Sequence, residues 1–325
     1  MNVPCIGAPQ GSVMAPILYL IYTIDIQNVT KNFTTIFADD TAVLVDLKEG
    51  TEKTTIENVL QRYENHFYSN KLKINTGKTE ILTNLKAIKI VVNNTEITSS
   101  FKNSAKYLGI TLTGNLKWSP HIKNVVQKMR AGTFALARVR TVGNKTVKLS
   151  ILNSLINSHL QYGMHIWANN LRKYDMKNIE TIHKAAVRIC ASRKKQTHSS
   201  PLYKMLNILK VPDLALTNLM GYYLRCKKLS NPHNELSIQL IENNRRSGCK
   251  FIAKHRGNHL NAVVNALNKI IPYLNLNVSD KSKIHKLKTH LIDKYKSSCD
   301  ITNCFICSPA RNYQQNPPPP RHQPP

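Results

Sequence analysis

The stretch TTIFADDTAVLV, residues 34–45, places two neighbouring carboxylates, Asp39 and Asp40, inside an otherwise apolar and β-branched run. Such a run reads as buried strand, and a desolvated carboxylate without a partner is destabilising by roughly several kcal/mol or else takes up a proton. A pair sharing one site is worse. Two readings answer the charge. In the first, "ADD" is the turn of a hairpin between segments 34–37 and 41–45, since Asp tolerates turn geometry. In the second, the turn brings both acids onto a divalent cation, which supplies the missing positive charge and prefers oxygen ligands. The two are compatible, because a turn is a good place to present metal ligands.

Composition bears on the partner such acids would serve. The 325 residues carry 46 Lys and Arg against 18 Asp and Glu, a net charge of +28 spread along the chain. Such a field attracts polyanions, nucleic acids foremost; the alternative is a solvated basic surface on a protein with another task. No stretch reaches the ~18 uninterrupted apolar residues of a membrane-spanning helix, and the most apolar run, residues 13–24, contains Pro16. The N-terminus has no basic segment followed by an apolar one, so no signal peptide is expected. The chain is therefore expected inside the cell, in the nucleus, the cytoplasm or both. Seven scattered cysteines, an odd number, point to reduced thiols rather than a disulfide framework.

The ending QQNPPPPRHQPP has nothing to bury and reads as an extended polyproline-type tail, so folded material is expected to end near Cys307. Upstream, GAPQGSVMAPILYLIYTIDI opens as a Gly/Pro loop and continues with Val13, Ile17, Leu20 and Ile24 at helical spacing. Thr54 or Thr55 is placed to cap a helix whose apolar face is Ile56, Val59, Leu60, Tyr63 and Phe67. KLKINTGKTEILTN reads as strand, turn and strand, and KYLGITL as another short strand. From Ser119 and Pro120 onward the pattern predicts long amphipathic helices, with Ile122, Val125, Val126, Met129 and Phe134 on the first, then 147–160 and 176–189. A β-containing module thus precedes an all-helical one.

Four motifs now stand in a telling order: Gly7-Ala8-Pro9-Gln10-Gly11-Ser12, Phe37-Ala38-Asp39-Asp40, Asn75-Thr76-Gly77-Lys78-Thr79 and Tyr107-Leu108-Gly109. Each alone is weak; together, at this approximate spacing, they resemble the palm of a reverse transcriptase. The chain looks like the C-terminal part of such an enzyme from a non-LTR, jockey-like retrotransposon. The likeness is distinct over residues 4–170 and more diffuse to 290. It implies an α+β fold with an incomplete polymerase palm, an antiparallel sheet with packed helices, over 1–117. An all-α thumb over 118–195, a basic helical region over 196–308 and a disordered Pro-rich tail over 309–325 would follow.

The resemblance also implies roles. An RNA-directed DNA polymerase of this kind joins nucleotides to a primer 3′-hydroxyl with two magnesium ions; Asp39 matches the metal-binding acid and Asp40 its less direct neighbour. Its partners would be an RNA template, a DNA primer and deoxynucleoside triphosphates, with no membrane. Pro9, Gln10, Gly11 and Ser12, with Phe37 and Ala38, would surround the incoming nucleotide, where a glycine lets backbone approach a ligand closely. Lys78 would donate a proton to pyrophosphate or stabilise it; its plainer reading is one surface lysine among many. Tyr107, Leu108 and Gly109 correspond to the primer grip. Lys123, Lys128, Arg130, Arg138 and Arg140 would follow the phosphates of a template–primer duplex, though helical spacing puts some on a solvated face by default.

A further metal-binding aspartate and a fingers region belong upstream in the family, so this chain alone is expected to have negligible polymerase activity. Cys299, Cys304 and Cys307, with His285 and His290 before them, admit a zinc site or unpaired thiols in a frayed end. Trp118 and Trp167 read as packing residues rather than base-stacking platforms. Three functions stay open at this point: a polymerase domain fragment, a noncatalytic RNA- or DNA-binding remnant of the element, and a host protein with an interaction role.

Overall fold

Residues 33–37 and 40–44 pair as antiparallel strands, β1 (Phe33–Phe37) and β2 (Asp40–Leu44), with Phe37 opposite Asp40 as the closing pair. The computed structural model describes residues 11–83, 90–92, 95–96, 104–228, 238–242, 249–253, 258–274 and 276–295. Two compact units emerge, Met1–Lys117 and Trp118–Pro325.

In the first unit, helix α1 (Met14–Thr23) leads through a short 3₁₀ turn into the β1–β2 hairpin, and α2 (Glu52–Ser69) follows. Two further hairpins complete it, β3 (Val91–Val92) with β4 (Thr95–Glu96), and β5 (Ser104–Tyr107) with β6 (Ile110–Thr113). Several expectations need correction here. Helix α2 begins at Glu52, and the hydroxyls of Thr54 and Thr55 bond back to the Thr51 carbonyl instead of capping it. Residues 72–83 form no hairpin. The Asn75 carbonyl accepts from Lys78 and Thr79, and its side chain accepts from Lys78 as well, so local bonding replaces a strand ladder. Helix α1 exists, but its Val13–Ile17–Leu20–Ile24 stripe is exposed, Leu20 at 66 %. The described strands make only two-stranded sheets rather than one shared sheet. The unit's described core is correspondingly small, with Ile56 and Ile90 packed by Leu47, Leu60 and Ile81.

The second unit is helix-rich. Helix α3 (Ser119–Arg138) starts at the predicted Ser-Pro pair. A continuous helical stretch follows as α4 (Lys145–Ile151), a π-helical segment at Leu152–Asn157 and α5 (Ser158–Gln161). Next come α6 (Met164–Trp167), α7 (Lys173–Cys190), α8 (Ser200–Leu206) and α9 (Val211–Lys228). The expectation of an all-helical region fails at β7 (Ile238–Glu242) and β8 (Cys249–Ala253), an antiparallel hairpin that precedes α10 (Asn258–Leu274) and α11 (Asp280–Asp293). One apolar core joins α3, the π-helical segment, α7 and α8 to Ile292 and Tyr295, and a second lies among α9, α10 and α11. Trp167 is fully buried in the first, its Nε1 donating to the Tyr162 carbonyl at 3.0 Å, and Trp118 packs at its edge.

Helix α3 buries Ile122, Val125, Val126, Met129 and Leu136, whereas Phe134 is exposed beneath the Arg138 guanidinium. Five residues past Met129, Phe134 falls about 140° round the helix from that stripe. Gly132 meets the π-helical segment so closely that a Cβ there would stand 2.6 Å from the Leu155 carbonyl oxygen.

Candidate active site

Three tyrosine hydroxyls from three different elements hold the acidic hairpin. Tyr19 of α1 donates to the Ala38 carbonyl at 3.1 Å, directly at the turn. Tyr63 of α2 shares a hydrogen bond with Thr34 Oγ1 at 2.7 Å, near the strand's start. Tyr107 of β5 shares one with Thr35 Oγ1 at 3.1 Å. The neighbouring threonines of β1 point to opposite faces of the pleat, so one strand is tied on both sides. Tyr22 of α1 also donates to the Asn70 carbonyl, fixing α1 against the end of α2.

The turn itself is a two-residue loop, Ala38 and Asp39. Ala38 takes φ +51°, in the left-handed region that costs an L-residue about 1–2 kcal/mol. Asp39 and Asp40 are both exposed, and neither strand contains a buried residue. The desolvation that made the acids puzzling in the sequence is therefore absent, and water screens the pair. Burial, and secondarily the negative charge of Asp39, raises the Tyr19 pKa above its ordinary value and keeps that hydroxyl a donor.

The Tyr107 hairpin closes as Tyr107 opposite Ile110 around Leu108 (φ +44°) and Gly109 (φ +81°). Two positive φ angles in a two-residue loop define a type I′ turn, whose twist matches the flanking strands. Through the Thr35–Tyr107 bond the structure joins this hairpin to the acidic one. Gly11 has φ +88° with open space where a Cβ would lie, so its backbone angle rather than crowding calls for glycine. Ser12 Oγ accepts from Met14 N at the start of α1. Lys78 is exposed on the 75–79 turn. Pro9, Gln10, Cys299, Cys304, Cys307 and the Pro-rich tail lie outside the described residues. In the second unit Lys123, Lys128, Arg130, Arg138 and Arg140 are all exposed, and Arg140 donates to the Arg193 carbonyl.

Tyr19, Tyr63 and the Thr34–Thr35 pair went unread as supports in the sequence. The signal available was two hydroxyl-bearing β-branched residues side by side just before the acids.

Residues 4–112 match the family model of reverse transcriptase (RNA-dependent DNA polymerase), and the chain carries a reverse transcriptase domain. It is similar to the probable RNA-directed DNA polymerase from transposon X-element of Drosophila melanogaster, 25% identical over 236 residues, 69% of this chain and 26% of that protein. It is likewise similar to the RNA-directed DNA polymerase from mobile element jockey of the same species, 25% identical over 250 residues, 72% of this chain and 27% of that protein. The jockey-like, non-LTR resemblance holds. The chain spans about a quarter of the length of the curated relatives it matches. No solved structure matches it. Among the described residues, no helix is long and apolar enough to cross a membrane.

Proposed function

We propose that the first unit is the part of a reverse transcriptase palm that presents the metal-binding carboxylates, and that residues 118–195 act as thumb with 196–308 as a basic helical extension. The observation that carries this reading is the acidic turn fixed by the Tyr19, Tyr63 and Tyr107 hydroxyls, within the segment that matches the family. Asp39 and Asp40 offer hard oxygen donors at an exposed tip, which suits magnesium, an ion usually held by one or two carboxylates together with substrate phosphates. When bound, magnesium would make the primer 3′-hydroxyl a better nucleophile and offset charge on the triphosphate.

The chain's own residues have simpler tasks. Asp39 and Asp40 would hold the cations, Tyr19 fixes the turn, and the Leu108–Gly109 turn would grip a primer end. Lys78 supplies positive charge toward leaving pyrophosphate. Among the described residues no third acid, histidine or cysteine joins the pair; two carboxylates alone would align two metals poorly, and negligible primer extension is expected. The second reading, noncatalytic binding of RNA or DNA, is favoured by the net charge of +28 and the exposed cations of α3.

Two assays test these statements. Binding of an RNA–DNA template–primer, followed by fluorescence anisotropy, should weaken steeply between 50 and 200 mM salt, on the order of 10³-fold if about six phosphates are contacted. Primer extension with magnesium should stay at background; robust incorporation lost in Asp39→Asn would show that the chain is a competent polymerase. Salt-insensitive binding, or none, would sink the nucleic-acid reading.

A further inference from the structure

We infer that the cavity between α7, the 192–199 loop and the start of α9 is a seat for a backbone phosphate of a bound nucleic acid. The inference deepens the nucleic-acid reading above by placing a contact away from α3. The cavity is a half-open cleft of about 620 Å³, within the roughly 300–1,000 Å³ of ordinary ligand sites and too small for a duplex.

The walls decide the sign of the ligand. Lys184, Arg188, His198 and Lys210 line the cavity with the hydroxyls of Ser199 and Ser200. Glu180 is the one acid on the lining, and Lys184 Nζ pairs with it at 2.7 Å. That leaves Arg188 and Lys210 as cations without an acid among the described residues. Arg188 Nε donates to the Thr197 carbonyl at 2.6 Å, which orients the guanidinium and leaves its terminal nitrogens for an incoming oxygen. Lys210 Nζ donates to Ser200 Oγ at 3.0 Å and stands 4.5 Å from the Tyr295 ring centroid. Asp213, in the first turn of α9, accepts from the Tyr295 hydroxyl and so has its own partner. An oriented arginine fork, an ammonium and two hydroxyls match a tetrahedral phosphate oxygen set.

The loop that leads to the lining residue Gln196 carries the same charge. Arg193, Lys194 and Lys195 follow one another on the exposed loop, and the loop is pinned from two sides. Arg140 Nη2 donates to the Arg193 carbonyl at 3.1 Å, and buried Lys148 donates to Ser192 Oγ at 2.8 Å. A row of cations leading into a cationic cavity is suited to a strand of phosphates, one seated and its neighbours along the loop.

The test uses the full chain and a fluorescein-labelled RNA–DNA template–primer, with affinity measured across a salt series. Arg188→Gln with Lys210→Gln should weaken binding several-fold and lower the slope of log K against log salt by about 1, as for one lost phosphate. The triple Arg193→Gln, Lys194→Gln, Lys195→Gln changes only exposed side chains, so it should fold normally while lowering the slope further. Thermal melting of each variant guards against unfolding. Wild-type affinity and slope in a folded triple variant and in the folded pair would refute the seat while leaving the α3 contacts standing. If wild type binds no nucleic acid at all, the proposed function fails first and the seat with it. Inorganic phosphate and a deoxynucleoside triphosphate are titrated separately. Protection by either at micromolar concentration, lost with Arg188→Gln, would make the cavity a free-phosphate site and refute a backbone seat.

Discussion

His183 Nδ1 lies 2.8 Å from the Tyr203 hydroxyl inside the helical core, and its Nε2 lies 3.0 Å from Asn157 Oδ1. The imidazole is fully buried and both nitrogens are satisfied, so protonation would have to displace a bond as well as bury a charge. Tyr203 is buried beside the basic cavity, and Asn157 ends the π-helical segment.

This geometry makes stability pH-dependent. Burial, and then the nearby Lys184, lowers the His183 pKa to about 4, against 6.5 for an exposed histidine. The unfolded chain therefore binds a proton that the folded chain does not between those values. The stabilisation is present above pH 6.5 and is lost as pH falls toward 4, about 3 kcal/mol in all. Denaturant unfolding of the full chain at pH 7.5, 6 and 5 should show the fall, and His183→Gln should flatten it. An unchanged slope in that variant would assign the acid sensitivity elsewhere.

Gly132→Ala should destabilise the helical unit, against the usual gain of roughly 1 kcal/mol for Ala over Gly within a helix. The added Cβ meets the Leu155 carbonyl oxygen at 2.6 Å and Ile156 Cγ1 at 2.8 Å, and the backbone atom cannot rotate away. A net loss of about 1–3 kcal/mol is expected from overpacking, read as a lower melting temperature.

Tyr19→Phe should loosen the acidic turn without unfolding the chain. It removes the donor to the Ala38 carbonyl, which helps to hold a left-handed non-glycine residue in place. Hydrogen exchange at residues 38–41 should quicken by about 5-fold, the value of a ~1 kcal/mol hydrogen bond. Ala38→Gly should act in the opposite direction, because glycine adopts that φ without strain.

Cys190 should resist alkylation in the native protein. Burial pushes its thiol up to about 11, the nearby Lys148 opposes this only in part, and the thiol faces the Lys148 carbonyl. The thiolate is the reactive form, so mass-spectrometric mapping at pH 8 should find Cys190 unmodified while the half-buried Cys226 is labelled. Denaturation should equalise the two.

A feature is legible in the sequence to the extent that it is local. The 3.6-residue apolar period of α3 and α7, the Ser119-Pro120 start and the hairpin turn at 38–39 are set by neighbours in sequence, and they were legible. Residues 72–83 were misread because Asn75 offers the backbone a side-chain acceptor that competes with strand pairing. Phe134 was misread because a count of apolar residues ignores the angle between them.

The amino-acid order alone determined the basic charge, the order of the four motifs and the adjacency of Asp39 and Asp40, since each is a property of composition or of neighbouring residues. Tertiary structure decided that the two acids stand in water rather than in a core. It also chose Tyr19, Tyr63 and Tyr107 as their supports, and joined α7, the 192–199 loop and α9 around a basic cavity. Burial and long-range hydrogen bonds depend on which surfaces meet when the chain closes on itself, and residues 19 to 72 positions apart acquire those partners only by folding.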